Sequence, residues 1–422
     1  MSPGAVEAAV ADAHRREWAS VLAATVRVTR DLDAAEEVVQ DAYVRALDAW
    51  ARNGVPERPG AWLTTVARRL ALNLGRRRRT LERKLPLLVT PDAAAPGAPA
   101  ASGPGLPEGA ARFPDDRLRL VFTCCHPALS REAQVALTLR LVCGVATADI
   151  ARAFLVSEPT MAARITRAKK KVAVARIPYA VPTPAELPER VDAVLTVVHL
   201  LSAAGHTAPT GDALVRHDLA ERALDLARML HELLPGESEA TGLLALLLAH
   251  EARRATRTDA AGQLVRLEDQ DRARWDPALV AEADRLVVAA LAAGPPGRFT
   301  LQAAIATLHA LAPSWEATDW RQIVTLYDAL LKAWPSPVVA LNRAVAVAMV
   351  DGPAAALAEV EALASDDRLA GYAYLPATRA DLLARLGRDA EAAAAYRAAL
   401  GLTANAAERE YLAGRVAALS GR

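Results

Sequence analysis

The sequence predicts an all-α protein: two small helical domains followed by a longer helical extension. Three observations carry this. Alanine and leucine dominate, aromatic residues make up 4% of the chain and runs of β-branched residues are short, a composition that favours helices over strands. Apolar residues recur at helical spacing through most of the length. Proline-rich stretches break that pattern at 86–114, with seven prolines among many Ala and Gly, and again around Pro178, Pro182, Pro184 and Pro188. Such stretches read as linkers. For 422 residues, two to four domains are expected.

The first helix is expected over 6–30, with Val10, Trp18, Val21, Leu22 and Val26 among its apolar positions. Asp33-Ala-Ala-Glu36 has the form of a capping box opening the second helix, in which a side-chain acceptor and a glutamate satisfy free backbone donors reciprocally. Ala35, Val38, Val39, Ala42, Ala46 and Trp50 form its buried stripe, while Glu37, Asp41 and Asp48 share another face with Glu36 beside it. The residues alone admit two readings of that acidic face, a solvated surface or a docking surface for a basic partner. Residues 51–60 form a loop, signalled by Asn-Gly and Pro-Gly. A third, amphipathic helix follows from Ala61 and ends in Arg76-Arg77-Arg78-Arg79, so that 62–84 hold eight Lys or Arg and one acid, Glu82. Cations at the end of an amphipathic helix suit a nucleic-acid backbone. Trp62 stands where it either fills the core or stacks on a base.

Beyond the first linker, 115–142 read as two helices leading into Thr147–Val172. That stretch has the pattern of a helix-turn-helix. Ala151 is small where two helices cross, and Ile150, Phe154, Val156, Met161 and Ile165 are spaced to fill its core. Ser157 is placed to cap the second helix and Pro159 falls in its first turn, where a missing N–H does no harm. Leu155 occupies the turn position that usually favours Gly. Arg164, Arg167, Lys169, Lys170 and Lys171 follow on and after the second helix. A helix of this kind can enter a major groove while its cations hold phosphates.

From Pro188 onward helices are expected at 188–204, 217–234, 238–255, 277–293, 299–311, 318–333, 337–350, 353–364, 371–386, 388–401 and 405–419. Gly352 and Gly387 lie 35 residues apart, each between a helix pair. Ala380, Gly387, Ala392, Tyr396 and Ala399 fit the small and aromatic positions of a tetratricopeptide unit. The first unit fits less well. Stacked helical hairpins of this kind present interaction surfaces.

The net charge of +1 hides an asymmetry: residues 1–186 hold 27 Lys+Arg against 19 Asp+Glu, a net +8, and the remainder hold 23 against 30, a net −7. A polyanion partner is expected for the front half, and contact between the acidic extension and the basic front half is a further expectation. Glu268 to Asp276, EDQDRARWD, reads as a salt-bridged turn and as the best candidate for that docking. Three cysteines in a chain of this length make no disulfide framework. Neither a signal peptide nor a membrane-spanning run is visible, so a cytoplasmic protein is expected.

Enzymatic constellations are absent. Cys124-Cys125-His126 has no second ligand pair nearby and suits a buried helix better than zinc. His231-Glu232 lacks the second histidine of a zinc-protease helix, and no glycine loop with a lysine is placed to cradle phosphate. His199, His206, His217 and His250 are scattered. No catalytic residue, metal or cofactor is therefore expected.

Taken together, the front half resembles an extracytoplasmic-function (ECF) sigma factor of bacterial RNA polymerase. DLDAAEEVVQDAYVRALDAW resembles the helix by which region 2 grips the polymerase clamp, and PGAWLTTVARRLALNLGRRRRT the segment that reads and melts the minus-ten element. The helix-turn-helix resembles region 4, which reads the minus-thirty-five element. RLRLVFTCCHPAL, LPERVDAVLTVVHLL and LEDQDRARWD further resemble the ECF subgroup with a long tetratricopeptide extension. The chain departs from that subgroup at His199 to Thr210, where a Phe-Asn-Glu-Gly-Tyr segment is more usual.

The resemblance implies region 2 at 1–85, a linker at 86–114, region 4 at 115–178, a linker at 179–187 and the extension at 188–422, tetratricopeptide-like from about 335. It implies that Glu36, Glu37, Gln40 and Asp41 contact core polymerase, and that Arg68, Arg69, Asn73, Arg76 and Arg77 hold the minus-ten region. Asn53 to Arg58 would cradle a flipped base. In region 4, Thr160 and Arg164 would reach base edges while Arg167, Lys169 and Lys170 hold phosphates. Ala162 and Ala163 leave direct readout sparse, which gives DNA shape a share of the specificity. The implied function is promoter recognition and transcription initiation with core RNA polymerase and promoter DNA as partners. The alternative is a stand-alone helix-turn-helix regulator with a tetratricopeptide sensor.

Overall fold

The structure, a computed structural model, describes residues 3–84, 116–154, 156–206, 210–211, 217–259 and 263–420. The linker expected at 86–114, Leu155 and part of the 199–210 segment lie outside them. The described chain forms two compact units, Met1–Val197 and Val198–Arg422, divided within a single helix.

The first unit opens with a three-helix bundle. Helix α1 (Pro3–Thr29) packs on α2 (Leu32–Asn53) and α3 (Pro59–Lys84), which also pack on each other. Trp18, Val21, Leu22, Val26, Val38, Val39, Trp50 and Leu63 are buried between them. The capping box expected at Asp33 is not the start of α2. Asp31 caps the helix, its carboxylate accepting from Asp33 and Ala34 N–H. The reason lies one residue earlier: Arg30, at φ +53, ends α1 in the left-handed region and leaves Asp31 in extended backbone as the first acceptor in place.

Helices α4 (Asp116–Cys124) and α5 (Arg131–Leu137), a π-helical turn (Thr138–Val142), α6 (Thr147–Ala153) and α7 (Glu158–Val174) follow. Leu118, Phe122, Leu137, Leu139, Leu141, Ile150, Met161 and Ile165 fill their core. Ser157 caps α7 through Thr160 N–H, with Pro159 in the first turn. The close of the π-helical turn needs glycine: Gly144 sits at φ +66, and a Cβ there would lie 2.8 Å from the His14 ring.

Helix α8 (Leu187–His206) crosses from the first unit into the second. The second unit continues with α9 (His217–Leu233), α10 (Ser238–Ala252), α11 (Pro277–Ala293), α12 (Arg298–Leu311), α13 (Trp320–Ala333), α14 (Pro337–Val350), α15 (Pro353–Leu363), α16 (Tyr374–Arg385), α17 (Asp389–Leu402) and α18 (Ala406–Ser420). From α9 on, each helix packs on the next. Helix α10 is buried almost all round, from Ala240 to Ala249, which explains its continuous apolar run from Leu243 to Ala249. Gly352 and Gly387 both adopt positive φ, +90 and +73, between helix pairs. Ala380, Ala392, Tyr396 and Ala399 are buried in one cluster. Strand pairing among the described residues amounts to two residues a side, Thr210–Gly211 against Ala404–Asn405, and one isolated bridge.

The segment expected to dock onto the front half is largely engaged inside the second unit. Arg266 pairs with Glu268, Asp269 and Asp381. Arg272 donates to the His309 and Ala312 carbonyls, Trp275 is buried with its indole N–H on Thr256, and Asp276 caps α11.

Candidate nucleic-acid interface

Helix α3 turns Leu63, Ala67 and Ala71 into the bundle. Its other faces are therefore left to water, and Arg68, Arg69, Asn73, Arg76 and Arg77 are all exposed. Arg69, Asn73 and Arg76, at i, i+4 and i+7, share one face. That stripe places several cations and one amide, with both a donor and an acceptor, along a single helix. Trp62 is half-buried, its ring edge-on to Trp50 with centroids 5.8 Å apart, which favours the core role over stacking on a base. The loop at 53–58 is held at its start by Gly54, at φ +80, whose N–H bonds to the Trp50 carbonyl at 3.0 Å.

In the helix-turn-helix, Thr160 is exposed but its hydroxyl lies 2.8 Å from that of the Ser157 cap. Arg164 is half-buried, its guanidinium 5.9 Å from the Phe154 ring centre. Arg167 and Lys170 are exposed. Arg164, Arg167 and Lys171 line an open recess of about 380 Å³ between α5 and α7, with Glu132 at its edge. Lys171 thus joins the basic surface, a role its place in the Lys169–Lys171 run already allowed.

Glu37, Gln40 and Asp41 stand exposed on α2, as a docking face requires. Glu36 does not: its side chain is 7% exposed. Its carboxylate accepts from Lys169 Nζ at 2.6 Å and pairs with Arg140. Lys169, 9% exposed, also donates to Asp33 Oδ1 at 2.8 Å. Burial alone would push the Lys169 ammonium down; its hydrogen bonds to Asp33 and Glu36 outweigh burial and hold it above the ordinary lysine value. One residue expected on polymerase and one expected on phosphate are therefore bonded to each other. Arg140 is the residue that sequence reasoning missed, since nothing around it marks a long-range partner.

Cys124 and Cys125 are buried core residues. Burial pushes the Cys124 thiol well above its ordinary value and that of Cys125 up to about 11, so both act as protonated apolar fillers.

Three families match the chain: Sigma-70 region 2 at residues 13–80, Sigma-70 region 4 at 119–172, and a family of unknown function (DUF6596) at 190–291. An uncharacterized protein of Rhizobium meliloti (strain 1021) is 44% identical over 395 residues, which covers 93% of this chain and 91% of that protein. No solved structure matches the chain. The first two families fall on the bundle carrying the α3 cations and on the helix-turn-helix, and the third on the start of the extension. The chain belongs to the ECF-like sigma factors that carry a C-terminal extension.

Proposed function

We propose that this sigma factor binds core RNA polymerase and directs it to promoters by two DNA contacts, α3 on the minus-ten element and α7 on the minus-thirty-five element. The observation that carries the reading is the pairing, on one chain, of an exposed Arg/Asn stripe on α3 with a helix-turn-helix whose exposed cations line one side of α7. Arg68, Arg69, Arg76 and Arg77 hold phosphates, and Asn73 offers donor and acceptor to a base edge. Thr160, Arg164, Arg167 and Lys170 act likewise on the upstream element. Lys169 and Glu36 join them only once released from each other. Glu37, Gln40 and Asp41 meet a basic polymerase surface, where charge complementarity gives orientation and on-rate more than affinity. No step needs covalent chemistry by this chain.

The extension is read as a tetratricopeptide-like regulatory domain. Its support is the 35-residue spacing of Gly352 and Gly387 and the buried small residues between their helix pairs. With a net charge of −7 against +8 in the front half, it gates the sigma domains or polymerase by contact with their basic surfaces. In-vitro transcription with purified core polymerase tests the function: the full chain gives promoter-dependent transcripts. Output no greater than that of core polymerase alone overturns it.

A further inference from the structure

In the second unit the chain that follows α10 folds back on the end of that helix. The Asp276 N–H donates to the Ala252 carbonyl at 2.9 Å, and the Trp275 indole N–H to the Thr256 hydroxyl at 2.9 Å. This return gathers three arginines of the connection, Arg253, Arg257 and Arg272, near His309 in the last turn of α12. The charges bearing on Arg253 are those of Arg257 and Arg272, both of its own sign. Among the described residues its guanidinium makes no hydrogen bond. Arg272 donates through Nη1 to the His309 and Ala312 carbonyls, but its Nη2 is buried without a partner, and so is Nδ1 of His309. Burial, then Arg257 and Arg272, pulls Arg253 down to about 10. Burial, then Arg253 and Arg272, pulls His309 down to about 4. At neutral pH the cluster therefore holds cationic arginines and a neutral imidazole. Arg253, Arg272 and His309 each keep part of their surface exposed, so the cluster is open to a solute.

Enclosing like charges side by side costs free energy unless a counter-charge joins them. The carboxyl ends of α10 and α12 supply part of one, since Arg253 caps the first and Arg272 binds carbonyls at the second. Each helix end is worth roughly half a negative charge. Together they make about −1, against +2 from Arg253 and Arg272 alone, with Arg257 of the same sign beside them. Glu316 bears on Arg272 but is exposed, so water and salt screen it. The Trp275 ring, 4.8 Å from the Arg272 guanidinium, brings no net charge. An anion completes the balance, and the donors indicate its kind. They come from three separate elements: the end of α10, the turn at Arg272 and the last turn of α12. A planar carboxylate is matched by one guanidinium fork, whereas a phosphate offers oxygens in several directions. We propose that Arg253, Arg272 and His309, with Arg257 beside them, form a binding site for a phosphate group, free or carried by a small molecule. The phosphate oxygens accept from Arg253, from Nη2 of Arg272 and from His309 in the tautomer with its proton on Nδ1. The extension is then a receptor for a small anion, whatever the first unit binds.

The test is calorimetric titration of the full chain with inorganic phosphate, adenosine monophosphate and citrate at constant ionic strength, paired with thermal unfolding. Phosphate or the monophosphate binds saturably, and at about a hundredfold excess over Kd raises the transition of the second unit by about 5–10 °C. The tighter of the two tells whether the source is the free ion or a phosphorylated metabolite. Arg253→Met weakens that binding by about tenfold or more. It leaves the ligand-free transition level or higher, because one of several enclosed like charges is gone. Arg257→Gln weakens binding in the same direction and serves where Arg253→Met does not fold. Binding of neither phosphate probe overturns the site, as does unchanged affinity in the folded variants. Citrate bound more tightly than both overturns the phosphate assignment, and failure of both variants to fold assigns the arginines to the fold instead. The readouts are binding and unfolding, so a chain that fails to direct transcription leaves this result standing, and the reverse holds equally.

Discussion

Glu239 caps a helix whose first turn lies about sixty residues downstream. Its carboxylate accepts from the backbone N–H groups of Gly297, Phe299 and Thr300 and from the Thr300 hydroxyl. Helix α12 has no cap of its own, since Gly297 offers no side chain. An anion on the free donors of a helix start is held by charge-assisted bonds and by the helix dipole. Glu239→Ala strips those donors of their acceptor and costs the second unit about 2–4 kcal/mol. Thermal unfolding should show its transition lowered by about 5–10 °C; a change under 2 °C would contradict the assignment. Nothing near Glu239 in the chain announces this role, and the same holds for Glu36. A carboxylate looks alike whether it faces water or a partner more than a hundred residues away. Arg68, Arg69, Asn73, Arg76 and Arg77 were legible for the opposite reason: their exposure follows from the local period of α3 alone.

At the scale of elements, periodicity placed nearly every helix, and the misses are matters of register and turn chemistry. Helix α2 starts at Leu32 rather than after Asp33 because the left-handed Arg30 decides where the chain turns. The capping-box pattern pointed to Asp33, and backbone geometry chose Asp31. The π-helical turn at Thr138–Val142 left no mark in the apolar pattern, because one extra residue in a turn shifts a face without changing its composition. Gly352 and Gly387 were readable, since positive φ between packed helices is a demand few other residues meet. The proposed role of α3 is itself an element-scale property. Arg69→Ala combined with Arg76→Ala removes two phosphate contacts, so the slope of log K against log salt should fall in magnitude by about 1.5–2. Affinity should drop alike for all sequences. Asn73→Ala should instead cost about 1–3 kcal/mol at one minus-ten position and relax preference there. Binding titrations at several salt concentrations separate the two patterns, and an unchanged slope in the double variant would remove α3 from the DNA.

At the scale of the whole molecule, the division of the chain differs from what its prolines suggest. Proline at 178, 182 and 184 marks a break in helix, with Pro188 in the first turn of α8, yet the residues around the break are tied into the first unit. Tyr179 bonds to the carbonyls of Ala23 and Asp116, and burial, with Asp116 beside it, holds its hydroxyl protonated far above neutral pH. Arg190 donates to the Phe122 carbonyl, and Arg131 reaches the Ala193 carbonyl. Prolines report where helices stop, whereas a unit ends where its packing ends, here at Val197. Removal of the extension therefore has two outcomes, depending on the cut. A chain ending at Ile177 loses the Tyr179 and Arg190 bonds along with any regulation, and should be less stable to urea by about 2–4 kcal/mol than a chain ending at His206. The chain ending at His206 keeps those bonds and reports the extension alone. If the acidic extension gates the basic sigma domains, promoter-dependent transcription by this shorter chain should differ from the full chain by several-fold and should respond less to added salt. Equal transcription from both, at matched stability, would remove the gating role and leave the extension with partners other than the sigma domains.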